Sequence, residues 1–368
     1  MISQTYQWRG KTLKLTSVVL FSMFSVAAHA DVDFLAFTEV RADHVEGANF
    51  SEKNIKPSID LFLSGEFEHA IFLIEAFGSE DVQHAERFQL GLKVAESSRI
   101  WLGRYHNPFG YWHTEYHHGN YLQTSISRPG LVDFGGGGGI VPSHFTGGLV
   151  EGEIDQGESV WHYSLAAGMT SQLTTGGGHH GGGTGAAGSS LTDFDVFNPK
   201  AGNHDYGYTA RLAYQPNLLD ETQFGAFISH NTIKTDDSPK DEITLDVAGI
   251  FVNYQQEQLR LIGEVYYFNT EVPSHHGGDQ DDDFIAAYVQ AEYAVNNKWT
   301  PYINYGDTFS NDGNEYLELL GNYAEKATTV GVRWDVFDHH ALKLEFTQRE
   351  FEHEHNGRWL LNWSAVWP

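Results

Sequence analysis

Along much of this chain, apolar and polar residues alternate with a period of two, the period of a strand and not of a helix. The last stretch shows it best. Trp359, Leu361, Trp363, Ala365 and Trp367 share one side, and Arg358, Leu360, Asn362, Ser364 and Val366 the other. An aromatic ribbon of this kind suits a strand in lipid, because aromatic side chains collect at the two membrane interfaces. In His84–Ala95, Phe88, Leu90, Leu92 and Val94 oppose Arg87, Gln89, Gly91 and Lys93.

The pattern predicts about sixteen strands. They are Val32–Arg41, Lys56–Ser64, Phe67–Gly78, His84–Ala95, Arg99–His106, His144–Ile154, Glu158–Met169 and Tyr206–Gln215. Glu221–Thr232, Glu242–Gln255, Gln258–Thr270, Asp283–Val295, Lys298–Phe309, Lys326–Phe337, Ala341–His353 and Arg358–Trp367 follow. A tight turn is expected around Gly65 and a loop over Ala42–Lys53. Counted from the first strand, every even-to-odd connection is short. The odd-to-even ones are mostly longer, and Asn107–Ser143 and Thr170–Asp205 are the longest. Short turns at one end and long loops at the other are the signature of an all-β transmembrane antiparallel barrel, with short periplasmic turns and long extracellular loops. A soluble sandwich or propeller has no reason to sort its connections in this way.

The same alternation names a lipid-facing set. Trp161, Tyr163 and Leu165 belong to it, with Tyr208, Ala210 and Leu212, then Leu261, Val265 and Tyr267. Ile285, Val289, Tyr293, Val330, Val332, Trp334, Val336, Leu342, Leu344 and Phe346 complete it. In Arg99–His106 and Glu221–Thr232 the pattern does not decide which face is which.

Composition agrees with strands rather than helices. Past residue 30, no stretch approaches the roughly 18 consecutive apolar residues of a membrane helix. Mean hydropathy is −0.38, low because half of each barrel strand faces water. At the N-terminus, Arg9, Lys11 and Lys14, the apolar run Leu15–Ala27 and the Ala28-His29-Ala30 cleavage pattern predict a secretory signal over 1–30. Losing those three cations takes the formal charge from −27 to −30. So acidic a surface repels nucleic acid. With no cysteine in the chain, thiolate metal sites and thiol nucleophiles are excluded, and stability must come from the hydrogen-bonded framework.

On the predicted inner faces lie Arg87, Lys93, Arg211, Arg260, Arg333, Lys343, Arg349 and Arg358, with Glu264, Glu292, Asp335 and Glu345. Charge at mid-depth in lipid costs a few kcal/mol, so these residues must point inward. Two readings follow: a basic wall that selects solutes, or mutually paired charges that keep a lumen hydrated. About sixteen strands make a lumen too wide for wall side chains to fill.

Within Arg99–Gly119, the residues Gly103, Arg104, Pro108, Phe109 and Gly110 form a strand ending in G-R, followed closely by P-F-G. With the strand count, leader and aromatic last strand, the chain resembles the Gram-negative outer-membrane porin superfamily, more loosely its phosphate-selective branch. It has no clustered ladder of lysines and arginines such as that branch carries. The resemblance implies a homotrimer in the outer membrane, surrounded by lipid, that passes small hydrophilic solutes or ions by diffusion and carries no cofactor. It also implies that 107–143 folds inward as a constriction, bringing Glu115, Arg128 and Asp133.

Many histidines fall in predicted outer loops: His113, His117, His118, His179, His180 and His204 among them. His275 and His276 with Asp279, and His353 with His355, form the clearest clusters. Imidazole and carboxylate are ligands for zinc or copper, so the alternative is a channel or receptor whose outer loops bind a divalent metal weakly. Other loop histidines are ordinary polar residues in the blander reading. The 176–188 tract and the run at 135–139 read as flexible loop, since no phosphate-loop lysine follows. Nothing like G-x-S-x-G appears, so an enzyme is not expected.

Overall fold

Every unpaired backbone amide in hydrocarbon is costly, so a sheet that crosses a bilayer must close on itself. This one does. A computed structural model describes residues 31–47, 51–80, 83–116, 119–130, 139–174, 189–236, 242–273, 280–309, 313–320, 323–351 and 355–368. The predicted leader lies outside them.

Sixteen antiparallel strands form the barrel. They are β1 (Asp31–Gly47), β2 (Ser51–Phe67), β3 (Ala70–Ser79), β4 (Gln83–Ala95), β5 (Ser98–His106), β6 (His144–Asp155) and β7 (Val160–Met169). After a small two-stranded hairpin, β8 (Gln172–Thr174) and β9 (Ser190–Thr192), the wall resumes. It continues with β10 (Tyr206–Gln215), β11 (Gln223–Lys234), β12 (Glu242–Gln256), β13 (Leu259–Val272), β14 (Gln280–Tyr293), β15 (Trp299–Phe309), β16 (Lys326–Phe337), β17 (His340–Glu350) and β18 (His355–Trp367). Each wall strand pairs with its sequence neighbour, and β1 closes on β18 from Ala36↔Trp367 to Gly47↔Asn356. Two short helices, α1 (Trp112–Glu115) and α2 (Glu315–Leu320), sit in connections. No helix among the described residues is long and apolar enough to cross a membrane.

The outer surface carries the alternation read from sequence. Leu165, Tyr208, Leu212, Val265, Tyr267, Ile285, Val289, Tyr293, Val330 and Leu344 are exposed, as are Trp359, Leu361 and Trp367. The undecided strands resolve by the same rule. In β5, Ile100 and Leu102 point out while Trp101 and Tyr105 are buried inside; in β11, Phe224 and Ile228 point out while Phe227 and Ser229 point in.

Two expectations need correction. The Ala42–Lys53 loop is mostly strand, because β1 and β2 stay paired up to Glu46↔Ser51. Beyond the lipid band the ladder persists through backbone hydrogen bonds, with no apolar alternation to advertise it. The turn placed at Gly65 falls instead at Glu68 and His69, with Glu68 in the left-handed region (φ 54°). Gly65 lies in β2 opposite Phe72, whose ring occupies the space a side chain would need. A glycine thus marked an aromatic cover rather than a bend. Gly225 and Phe251, and Gly249 and Phe227, repeat that cross-strand arrangement inside the barrel.

Arginine at position 344, mid-strand on the lipid side, should lower stability by about 2–4 kcal/mol. Equilibrium unfolding of Leu344→Arg in lipid bilayers measures this, and unchanged stability would place that face away from lipid.

Candidate functional site

The long 107–143 segment runs against inward-facing residues of strands far apart around the wall. Its first part is apolar. Phe109, Tyr111, Trp112 and Tyr116 share a buried cluster with Phe227, Phe251, Tyr266, Phe268, Phe284 and Tyr288. Tyr316, Leu317 and Leu320 of α2 join it. The barrel interior next to β11–β14 is therefore a packed core and not a water channel.

Gly110 sets how closely the segment approaches the wall. It lies in the left-handed region (φ 64°), and a Cβ there would collide with the Glu264 carboxyl and the Tyr266 hydroxyl. Only glycine meets both demands. Just beyond it, the Tyr111 and Trp112 amides donate to Glu264 Oε2 (3.0 Å) and Oε1 (2.7 Å). Tyr266 and Tyr288 hydroxyls donate to the same carboxyl. Arg211 Nε donates to the Gly110 carbonyl (3.0 Å), and Arg260 to the Tyr111 hydroxyl (2.9 Å). Burial pushes the Tyr111 phenol up from its usual range, so it meets Arg260 as a neutral hydroxyl.

The second part, 119–130, is held through its main chain. Lys343 Nζ donates to the carbonyls of Asn120, Gln123 (2.6 Å) and Ser125 (3.1 Å). Arg333 Nη1 donates to those of Tyr121 (2.6 Å) and Gln123 (3.1 Å). Glu345 accepts from the amides of Ile126 (2.8 Å) and Ser127 (3.1 Å), and Glu292 from the Thr124 hydroxyl (2.7 Å). Glu39 of β1 accepts from Asn120. A loop lacks its own ladder of hydrogen bonds, and inside a barrel it meets little water. Charged wall residues supply the missing partners, at the strength that charge-assisted bonds allow.

Every inner-face residue named from sequence can now be placed. Arg211, Arg260, Glu264, Arg333, Lys343 and Glu345 contact the 107–143 segment as described. Asp335 pairs with Arg333 (2.8 Å), and Lys93 with Glu66 near the short-turn end. Arg87 pairs with Glu75 (2.6 Å), Arg358 with Asp43 (2.8 Å), and Arg349 reaches Asn356 (3.3 Å). Of the residues expected on the segment itself, Glu115 ends α1 and is exposed, and Arg128 is within electrostatic reach of Asp60. Asp133 lies outside the described residues. The same is true of His275, His276, Asp279 and His353, while His355 opens β18 and is exposed.

The wall from β17 through β18 and β1 to β4 is different. Arg41, Asp43, Asp60, Glu75, Arg87 and Arg358 face inward there, where sequence reading had singled out Arg87 and Lys93 on β4, Lys343, Glu345 and Arg349 on β17, and Arg358 on β18. Arg41 Nε, Asp43 Oδ1, Arg358 Nε, Asn362 Oδ1 and Ser364 Oγ have no hydrogen-bond partner among the described residues. Arg41 and Asp60 escaped the sequence reading because the inner faces of β1 and β2 mix apolar residues such as Leu35, Phe37 and Phe62 with charged ones, and Asp43 because it fell in the expected 42–53 loop.

No family model and no curated protein matches the sequence. Solved structures do. The outer membrane channel DcaP of Acinetobacter baumannii aligns over 92% of this chain and 98% of its own, at 15% identity and a TM-score of 0.60. OmpF of Salmonella typhi, in a complex with daunomycin, covers 92% and 98% at 13% identity and 0.56. An in-vitro folded OmpT from Vibrio cholerae covers 92% and 99% at 11% and 0.53. The chain has the fold of these outer-membrane barrels, the porin fold.

Glu345→Ala strands the Ile126 and Ser127 amides, a local cost of about 1–3 kcal/mol. Hydrogen exchange should speed up across 120–128 and stay unchanged in β10–β13. Unaltered protection of 120–128 would show that Glu345 does not hold the segment.

Proposed function

We propose that this chain is a porin of the Gram-negative outer membrane, exported by the leader at 1–30, through which small hydrophilic solutes or ions diffuse passively. The observation that carries this reading is the division of the lumen. One side is packed by residues 109–116 and their aromatic core, and on the other Arg41, Arg87, Arg349 and Arg358 point inward and are only half-buried. The segment acts as the constriction, and the water path runs past β17, β18 and β1–β4. A pore works by offering polar contacts that replace hydration without holding the solute tightly.

On this reading, the charges anchoring the segment set pore size, and those on the open side set preference. Half-buried Arg41, Arg87, Arg349 and Arg358 face a solute there, and the carboxyls of Asp43, Asp60 and Glu75 are buried behind them. The path therefore presents cations backed by carboxyls, suited to hydrated polar solutes. The chain functions as a channel and not an enzyme, a reading supported by the outer membrane channel DcaP among the similar structures. Assembly is as a homotrimer within lipid, an extension supported by the trimer form of the similar Vibrio cholerae OmpT.

Reconstituted into planar bilayers, the purified protein should give stepwise ohmic conductance. Absence of channels at every voltage rejects the reading. Arg41→Glu should shift the reversal potential in a salt gradient toward cation preference, with conductance steps preserved. An unshifted potential would take Arg41 out of the solute path.

A further inference from the structure

The 107–143 segment leaves the wall after His106 and rejoins it at His144. Those two residues pair across β5 and β6, with ring centroids 4.8 Å apart. Beside them stands Glu86 of β4. It is the extra residue of a β-bulge: Glu75 pairs with Arg87 and Ala76 with Ala85, and Glu86 between them has no partner in the register. A bulge re-aims a side chain out of the strand alternation. Here it turns Glu86 toward the two histidines, and Glu86 Oε2 lies 3.0 Å from His144 Nε2.

We infer that Glu86, His106 and His144 form a binding site for a borderline divalent cation, zinc or copper, that fastens both feet of the inward-folded segment to β4. One ligand atom from each residue lies within 4.8 Å of the others. Zinc bonds to imidazole nitrogen and carboxylate oxygen are about 2.0–2.2 Å long, which puts tetrahedral donors roughly 3.3–3.6 Å apart. The Glu86–His144 separation is near that already, and a rotation of the half-buried His106 ring closes the rest.

The surroundings of His144 are those of a metal ligand. Its Nδ1 lies 2.8 Å from Asp193 Oδ2. Asp193 in turn accepts from Ser171 (2.7 Å) and Arg104 (3.1 Å). A carboxylate on Nδ1 fixes the ring and directs the Nε2 lone pair at the metal, the recurring carboxylate–histidine–metal arrangement. His84, whose Nε2 is 2.5 Å from the other Glu86 oxygen, orients that ligand in the same manner. A water would complete the coordination. The site differs in every residue from the loop histidines that sequence reading favoured.

Calorimetry on the full-length protein in detergent, titrated with zinc chloride and separately with copper chloride, tests the inference. Wild type should take up one ion per chain. His106→Ala and Glu86→Gln should each weaken that binding at least tenfold, while exposed His339→Ala leaves it unchanged. Retained heat-modifiable mobility on gels verifies that each variant is a folded barrel. Two results overturn the inference: no uptake by wild type, which leaves His144 as an ion-pair bridge between Glu86 and Asp193, or equal uptake by all variants, which assigns the ion to other histidines. Either can occur with conductance intact, so failure here is separate from failure of the channel reading.

Discussion

Backbone hydrogen bonding in a medium without water governs this molecule twice. At the circumference it forces the sheet to close, so β1 must find β18 at the far end of the chain. Inside, it governs the 107–143 segment, a stretch with little secondary structure of its own crossing a confined space. The first demand is met by the ladder and the second by wall side chains: Glu264 and Glu345 take amides, while Arg211, Arg333 and Lys343 take carbonyls. Much of the charge inside the barrel thus replaces the ladder that the segment lacks, and Gly110 is what lets the segment come near enough to use it.

That assignment changes how the inner charges are understood. A basic wall facing an acidic loop was one way to read the sequence, and a transverse field would follow. The distances instead tie Arg211, Arg333 and Lys343 to carbonyl oxygens of the segment. Half-buried Arg41, Arg87, Arg349 and Arg358 lie on the remaining wall, from β17 through β18 and β1 to β4, and on the proposed channel reading they are the charges a solute meets, with the Glu86, His106 and His144 group at the junction where the segment is attached.

The fold was legible because burial in lipid imposes a strict period. Strands such as β4, β13, β16 and β18 display it outright, and the sorting of short and long connections supplies the topology. The errors have physical causes. Past the lipid band, β1 and β2 continue on hydrogen bonds alone, so Ala42–Lys53 resembled a loop. Gly65 resembled a turn because a glycine beneath an aromatic ring and a glycine in a bend look identical in one dimension. The inner-face list named Lys343 and Arg211 but was silent about partners, since the partners are backbone atoms over a hundred positions away. Glu86 was illegible for a different reason: a bulge is a property of two strands in register, and no single strand announces it.

The chain contains no cysteine, which permits a direct test of the divided lumen. Single cysteines at half-buried Arg41 and at Phe284 would be exposed, in planar bilayers, to a membrane-impermeant methanethiosulfonate reagent while current is recorded. The account predicts stepwise loss of current for Arg41→Cys and no modification of Phe284→Cys, whose side chain sits in the dry aromatic core. Equal reaction at both positions, or reaction at Phe284 alone, would contradict it.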